Sequence, residues 1–253
     1  MLRTENHFYE KLDTKFKGLN LLSLHSCLLR KERLNLKKHV LVDPKNPDFI
    51  TIKMAVDEIN DCGVLVYPTD SVYGLGTTGL LKEAILKIFK IKNRPLDHPL
   101  PLAVSDFDMV DKLAFVKDDA YELMEAFWPG ALTIILKKKP IVPDILVGGN
   151  KTVGLRMPDH AVPLKIIQLL GVPLVATSAN KHGGSNPISA TQAIQQIGKE
   201  VDLVLDGGSS KGKPSTIIDL TKTPPMILRH GPVSVDLIEK IIGSRVLAFK
   251  KFV

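Results

Sequence analysis

Across 253 residues the chain carries 34 Lys and Arg against 27 Asp and Glu, a formal net charge of +7, with 44% hydrophobic and 24% charged residues. That length suits one good core with an N-terminal addition, and the positive balance points to anionic partners such as nucleotides or nucleic acid. Two cysteines, Cys27 and Cys62, exclude a disulfide framework and a four-cysteine zinc site, and they fit a reducing compartment. No run of about 18 apolar residues offers a membrane span.

Residues 1–38 are basic and weakly periodic and read as an extension. Its apolar stretch at 19–29 is interrupted by Asn20, Ser23, His25 and Ser26 and followed by Arg30-Lys31-Glu32-Arg33, which argues against a secretory signal. Glu5, Glu10 and Asp13 weigh against a mitochondrial transit peptide despite Arg3, Lys11, Lys15 and Lys17. A cytoplasmic location is the resulting expectation.

From Val40 onward the punctuation becomes regular. Phe49, Ile52, Ala55, Val56 and Ile59 recur at helical spacing within 48–60, Gly63 stops that helix, and 64–67 reads as a buried strand. A second amphipathic helix covers 80–91, a short strand 101–104, and a helix 120–127 ends at Trp128-Pro129-Gly130. Strands follow at 132–136 and 152–157, then a helix at 162–170 stopped by Gly171 and a buried strand at 173–177. A helix at 191–197, strands at 203–205, 216–220 and 226–229, and a helix at 235–242 complete the chain. This alternation, without a repeat, predicts an α/β fold around a twisted mixed sheet with flanking helices. Ligand-binding loops are expected after the strands.

Two phosphate motifs are near misses. Gly74-Leu75-Gly76-Thr77-Thr78-Gly79 fits G-x-G-x-x-G, yet Pro68 to Tyr73 separates it from the strand, and Asp97 falls in a proline-rich loop instead of ending a second strand. Gly207 to Lys213 begins like a P-loop, but Pro214 stands where Ser or Thr should hold Mg²⁺, and proline has no N–H for phosphate.

The residues with chemical potential lie elsewhere. Lys92-Asn93-Arg94-Pro95 places two cations at a helix end, before a loop stiffened by Pro95, Pro99 and Pro101; a turn complementing the helix dipole would use the same residues. Ser178 and Asn180 follow the strand at 173–177 and face one way if extended, offering a hydroxyl and an amide to a phosphate or an amine, or serving as a turn. Arg156 and Arg229 sit on apolar strands, where a buried charge needs an internal acid or a bound anion. His98, His160, His182 and His230 show no metal-ligand spacing, so no protein-held metal is expected.

Taken in order, Pro68-Thr69-Asp70-Ser71-Val72-Tyr73-Gly74-Leu75-Gly76, Lys92-Asn93-Arg94-Pro95, Phe127-Trp128-Pro129-Gly130, Arg156-Met157-Pro158, Ser178-Ala179-Asn180, Ser215-Thr216 and Leu228-Arg229-His230-Gly231 resemble the YrdC-like threonylcarbamoyl-AMP synthase family. The likeness covers about residues 40–234, so residues 39–253 would form the catalytic domain. It implies an open, twisted α/β sheet around a large basic cavity. The implied reaction condenses L-threonine, bicarbonate and ATP, with Mg²⁺, into threonylcarbamoyl-AMP and pyrophosphate. Lys92, Arg94, Ser178 and Asn180 would be catalytic. His98, Thr152, Ser189 and Arg229 would join Lys92, Arg94 and Asn180 around ATP, while Thr69, Ser71, Arg156, Ser178 and Ser215 would surround threonine. A separate transferase would then modify tRNA, and the basic cavity would also suit tRNA or double-stranded RNA.

Several positions depart from the commonest pattern of that family. Asp70-Ser71 replaces Glu-Thr, Thr177 a proline, His182 a serine, His230 a proline and Ala103 a histidine near threonine. An RNA-binding paralogue with little synthase activity would tend to lack Lys-x-Arg and Ser-x-Asn, which are both present. A hydrogenase-maturation module would need a longer chain with zinc-finger cysteines. A nucleic-acid-binding domain gripping RNA in its cavity is the alternative from another class.

Overall fold

The computed structural model describes residues 38–210 and 212–248; the extension, including its stretch at 19–29, lies outside them apart from residue 38. Among the described residues the strands form two mixed sheets. The first runs β1 (Lys38–Leu41), β10 (Leu203–Asp206), β2 (Leu65–Tyr67), β3 (Gly74–Gly76), β9 (Thr177–Ser178), parallel as far as β2 and antiparallel beyond it. The second runs β13 (Leu247–Ala248), β12 (Met226–Arg229), β11 (Thr216–Asp219), β6 (Leu132–Lys138), β7 (Thr152–Arg156), β4 (Leu102–Ala103), β8 (Leu174–Val175), with β5 (Ala114–Phe115) added to β6.

Strand periodicity decides what faces where. In β7 Val153 and Leu155 are buried in the core, so Thr152, Gly154 and Arg156 share the opposite face. In β6 Leu132, Ile134 and Leu136 are buried, leaving Thr133 and Ile135 beside that same face. The apolar run at 173–177, expected as one strand, is two. β8 belongs to the second sheet and β9 to the first, and the Ala176 N–H between them bonds the Pro101 carbonyl. A continuous apolar run has no alternation to show where a chain changes neighbours.

Helix ends follow local chemistry. Asp48 caps α1 (Phe49–Asn60) by accepting from the Thr51 N–H at 2.9 Å. The helix α2 (Lys82–Lys92) stops at Asn93, whose φ of 50° is left-handed. The unexpected short helix α3 (Phe107–Leu113) is capped by Asp106 and precedes α4 (Asp118–Phe127). His160 caps α5 (Ala161–Leu170), Ser189 caps α6 (Ala190–Ile197) and Ser234 caps α7 (Val235–Ile242).

The G-x-G-x-x-G glycines are packing devices. A Cβ on Gly74 would stand 2.6 Å from the Tyr67 ring, on Gly76 2.6 Å from the Val175 carbonyl oxygen, and on Gly79 2.4 Å from Leu102. The glycines therefore let β3 lie between Tyr67 and the crossing at Val175. Gly76→Ala is expected to lose about 1–3 kcal/mol by overpacking against backbone, read as a drop of several degrees in melting temperature. An unchanged melting temperature would show that β3 moves aside freely.

Candidate functional site

The faces carrying Arg156 and Thr133 look across a cavity of about 410 Å³ towards the loop after β2 and towards β9. Arg156 is fixed from both sides. Its Nε donates to the Gly130 carbonyl at 2.9 Å, one terminal nitrogen to Ser71 Oγ at 2.9 Å, and the other to both Asp70 carboxylate oxygens at 2.7 and 2.6 Å. The acid that a buried arginine requires is thus internal. Gly130 also donates its N–H to the Met157 carbonyl, so two of the motifs read from the sequence meet here.

The loop bearing Asp70 is tied down by its own hydroxyls. Thr69 Oγ1 donates to the Val72 carbonyl at 2.6 Å and accepts from the Ser71 N–H. The near-miss P-loop crosses over it: Ser210 Oγ donates to the Thr69 carbonyl and the Gly212 N–H to the Ser71 carbonyl. This segment leads into strand β11, so no helix N-terminus follows it.

Arg94 enters the cavity from the proline loop. Its Nε and one terminal nitrogen donate to the carbonyls of His98 and Pro99, and its other terminal nitrogen lies 3.3 Å from His182 Nδ1. Desolvation lowers its pKa, and no carboxylate pairs with it among the described residues. His98 and His182 meet edge to face at 5.2 Å. Desolvation, then the charges of Arg94, His98 and Lys92, hold the exposed His182 below the ordinary imidazole value.

Lys92 stands behind the wall. It is 2% exposed, and its ammonium donates to the Ser178 carbonyl at 2.5 Å, the Asn180 carbonyl at 2.7 Å and Asn180 Oδ1 at 2.9 Å. Ser178 Oγ also donates to Asn180 Oδ1, at 2.6 Å, and Asn180 Nδ2 donates to the Gly184 carbonyl. Lys-x-Arg and Ser-x-Asn are therefore one network, in which Lys92 shapes the Ser178–Asn180 turn and Ser178 faces the cavity. Burial first, and Arg94 second, push Lys92 down to about 7.

Arg229 closes the opposite end. Its Nε donates to the Ser215 carbonyl at 2.9 Å and one terminal nitrogen to Ser215 Oγ at 3.0 Å. The other terminal nitrogen has no protein acceptor among the described residues. Desolvation and then Arg156 lower its pKa.

Of the residues read from the sequence, Thr69, Ser71, Arg94, Thr152, Arg156, Ser178, Ser215 and Arg229 line the cavity. Lys92 and Asn180 support it from behind. His98 buttresses Arg94, and Ser189 accepts from the Gln192 N–H as a helix cap. Tyr67, Thr133 and Asn186 also line the cavity and were not anticipated. A lone threonine on an apolar strand was the available signal for Thr133.

A family model described as telomere recombination, covering Sua5, YciO and YrdC, matches residues 57–231. The threonylcarbamoyl-AMP synthase of Pyrococcus abyssi is 39% identical over 195 residues, which is 76% of this chain and 57% of that protein. The crystal structure of P. abyssi Sua5 complexed with L-threonine is similar at TM-score 0.79 and 37% identity, over 82% of this chain and 62% of that one. Escherichia coli YciO is similar at TM-score 0.74 and 33% identity, over 79% and 98%. The chain thus spans less than two-thirds of the archaeal relative.

The buried ammonium has a pH signature. Lys92 is held near 7 in the fold against its ordinary 10.5, so between those values the unfolded chain binds the extra proton. Stability contributed by this site therefore rises with pH across that window. Wild type is expected to gain stability over Lys92→Met between pH 7 and pH 10 in denaturant titrations. A gap independent of pH would mean that the three oxygen acceptors keep the ammonium charged.

Proposed function

The chain belongs to the Sua5, YciO and YrdC family, and from that premise we propose that it condenses L-threonine, bicarbonate and ATP into threonylcarbamoyl-AMP and pyrophosphate. The observation that carries this reading is a pair of guanidiniums, Arg94 and Arg229, facing one cavity without a carboxylate partner among the described residues. A polyphosphate is the ligand class that satisfies both. The P. abyssi relative with the threonine-bound structure supplies the amino acid.

In the proposed reaction bicarbonate loses its hydroxyl group as water to give CO₂. The threonine amine adds to that CO₂ and gives up the proton that the water requires, and a carbamate oxygen then attacks the α-phosphorus. The bond to the bridging oxygen breaks, and its electrons leave with pyrophosphate. Such a step needs alignment and charge neutralisation more than a strong base. Arg94 and Arg229 would hold the phosphates, with Thr152 and Ser178 on the wall beside them. Thr69, Ser71 and Ser215 would offer hydroxyls to threonine, next to an Arg156 whose charge Asp70 already balances. Among the described residues no three His, Cys, Asp or Glu form a metal site, so Mg²⁺ would enter on the triphosphate; when bound it supplies charge neutralisation at the leaving pyrophosphate.

The RNA-binding paralogue is less well supported, because Lys-x-Arg and Ser-x-Asn are present and joined by three hydrogen bonds. A separate transferase would carry the threonylcarbamoyl group to tRNA, and the net charge of +7 would favour a direct RNA contact. No helix among the described residues is long and apolar enough to cross a membrane, and a cytoplasmic site of action fits the proposed supply of an intermediate for tRNA modification.

Release of pyrophosphate from ATP that depends on both threonine and bicarbonate tests the reaction. Arg229→Ala is expected to raise the ATP constant by roughly 10- to 150-fold, the equivalent of about 1.5–3 kcal/mol for a charge-assisted bond. Threonine-independent release would overturn the assignment. Residues 39–253 are proposed to form the catalytic domain, so deletion of residues 1–37 is expected to leave turnover intact. A folded but inactive product would place the extension in the site.

A further inference from the structure

Thr133 lies at the centre of the second sheet, 5% exposed, on the strand face that looks into the cavity. Its Oγ1 is 2.8 Å from Ser215 Oγ. Ser215 is 3% exposed and receives Arg229 twice, through its carbonyl and through its hydroxyl. Arg229 has no other protein acceptor among the described residues. Its orientation therefore depends on Ser215, and the Ser215 rotamer depends on Thr133.

The proton bookkeeping ties the three together. A guanidinium only donates, so Ser215 Oγ must accept from Arg229. Of the two hydroxyl protons on Thr133 and Ser215, one lies between the two oxygens. The other is free to point into the cavity. Either assignment leaves one hydroxyl donor on the cavity wall, and the terminal nitrogen of Arg229 that Ser215 does not engage is left to donate to a phosphate oxygen. Backbone neighbours keep the geometry tight: a Cβ on Gly231 would stand 2.6 Å from the Ser215 carbonyl carbon.

We propose that Thr133 is a positioning residue, which fixes Ser215 and through it the anion-binding edge of Arg229. For the identity of the anion, a nucleotide phosphate, this rests on the synthase reading; the mechanical coupling does not.

The test measures ATP affinity by calorimetric titration in parallel with threonine-dependent pyrophosphate release. Thr133→Val keeps the shape and removes the hydroxyl, and it is expected to weaken ATP by about fivefold with little change in kcat. Thr133→Ser is expected to restore wild-type affinity. In an Arg229→Ala background, Thr133→Val should change ATP affinity by less than about twofold, because it acts through the missing arginine. Additive losses in that double variant, an unchanged ATP affinity in Thr133→Val, or no rescue by serine would each overturn the proposal. ATP binding with the predicted pattern but no threonine-dependent release would sink the synthase reading and leave the positioning role standing. A wild type that binds neither ATP nor pyrophosphate would sink both.

Discussion

One ion pair ties the loop leaving the first sheet to the second sheet across the cavity. Arg156 belongs to the second sheet and Asp70 to the loop leaving the first, and their side chains are 13% and 7% exposed. A charge taken so far out of water is tolerable only with its partner in place, and removing one member of such a pair typically costs about 3–5 kcal/mol. The constraint spreads outward from there. Asp70 can meet the guanidinium only if its loop is fixed, which the Thr69, Ser210 and Gly212 hydrogen bonds accomplish. On its other side the Arg156 Nε is held by the Gly130 carbonyl, just past the end of α4.

The opposite wall relies on a different device. The crossing between β8 and β9 ends in a turn that carries Ser178 and Asn180, and such a turn leaves carbonyls without sheet partners. The Lys92 ammonium collects two of them along with the Asn180 side chain. The cost is a cation in a poorly solvated place, which is why its pKa falls. Polar networks of this kind are stiff when fully satisfied, and stiffness is what a reaction governed by alignment requires.

Much of this was legible in the chain. Helical periodicity marked α1, α2, α4, α5, α6 and α7 within a few residues, and apolar runs marked most of the longer strands. The short pieces were hidden for physical reasons. β3 is Gly-Leu-Gly, whose composition opposes a strand and is selected by the Tyr67 ring. β5 and β13 contain two residues each, too few to show a period. Within the site, the separate motifs were visible but their wiring was not. Spacing could not reveal that Lys92 faces a turn instead of the cavity, that the partner of Arg156 is Asp70, or that a threonine on β6 reaches Ser215 across the β6–β11 pairing. Those contacts join residues from distant parts of the chain.

Arg94 and Arg229 also have a meaning for handling the protein. Each raises the free energy of the empty fold, since Arg229 feels Arg156 and both are partly desolvated. Any anion that settles between them removes part of that penalty and binds only the folded chain. By mass action the melting temperature then becomes a function of phosphate, sulfate or nucleotide concentration. On the proposed reading the buffer anion would then be a component of the folded state, and two preparations of identical sequence in different anions would be thermodynamically different samples.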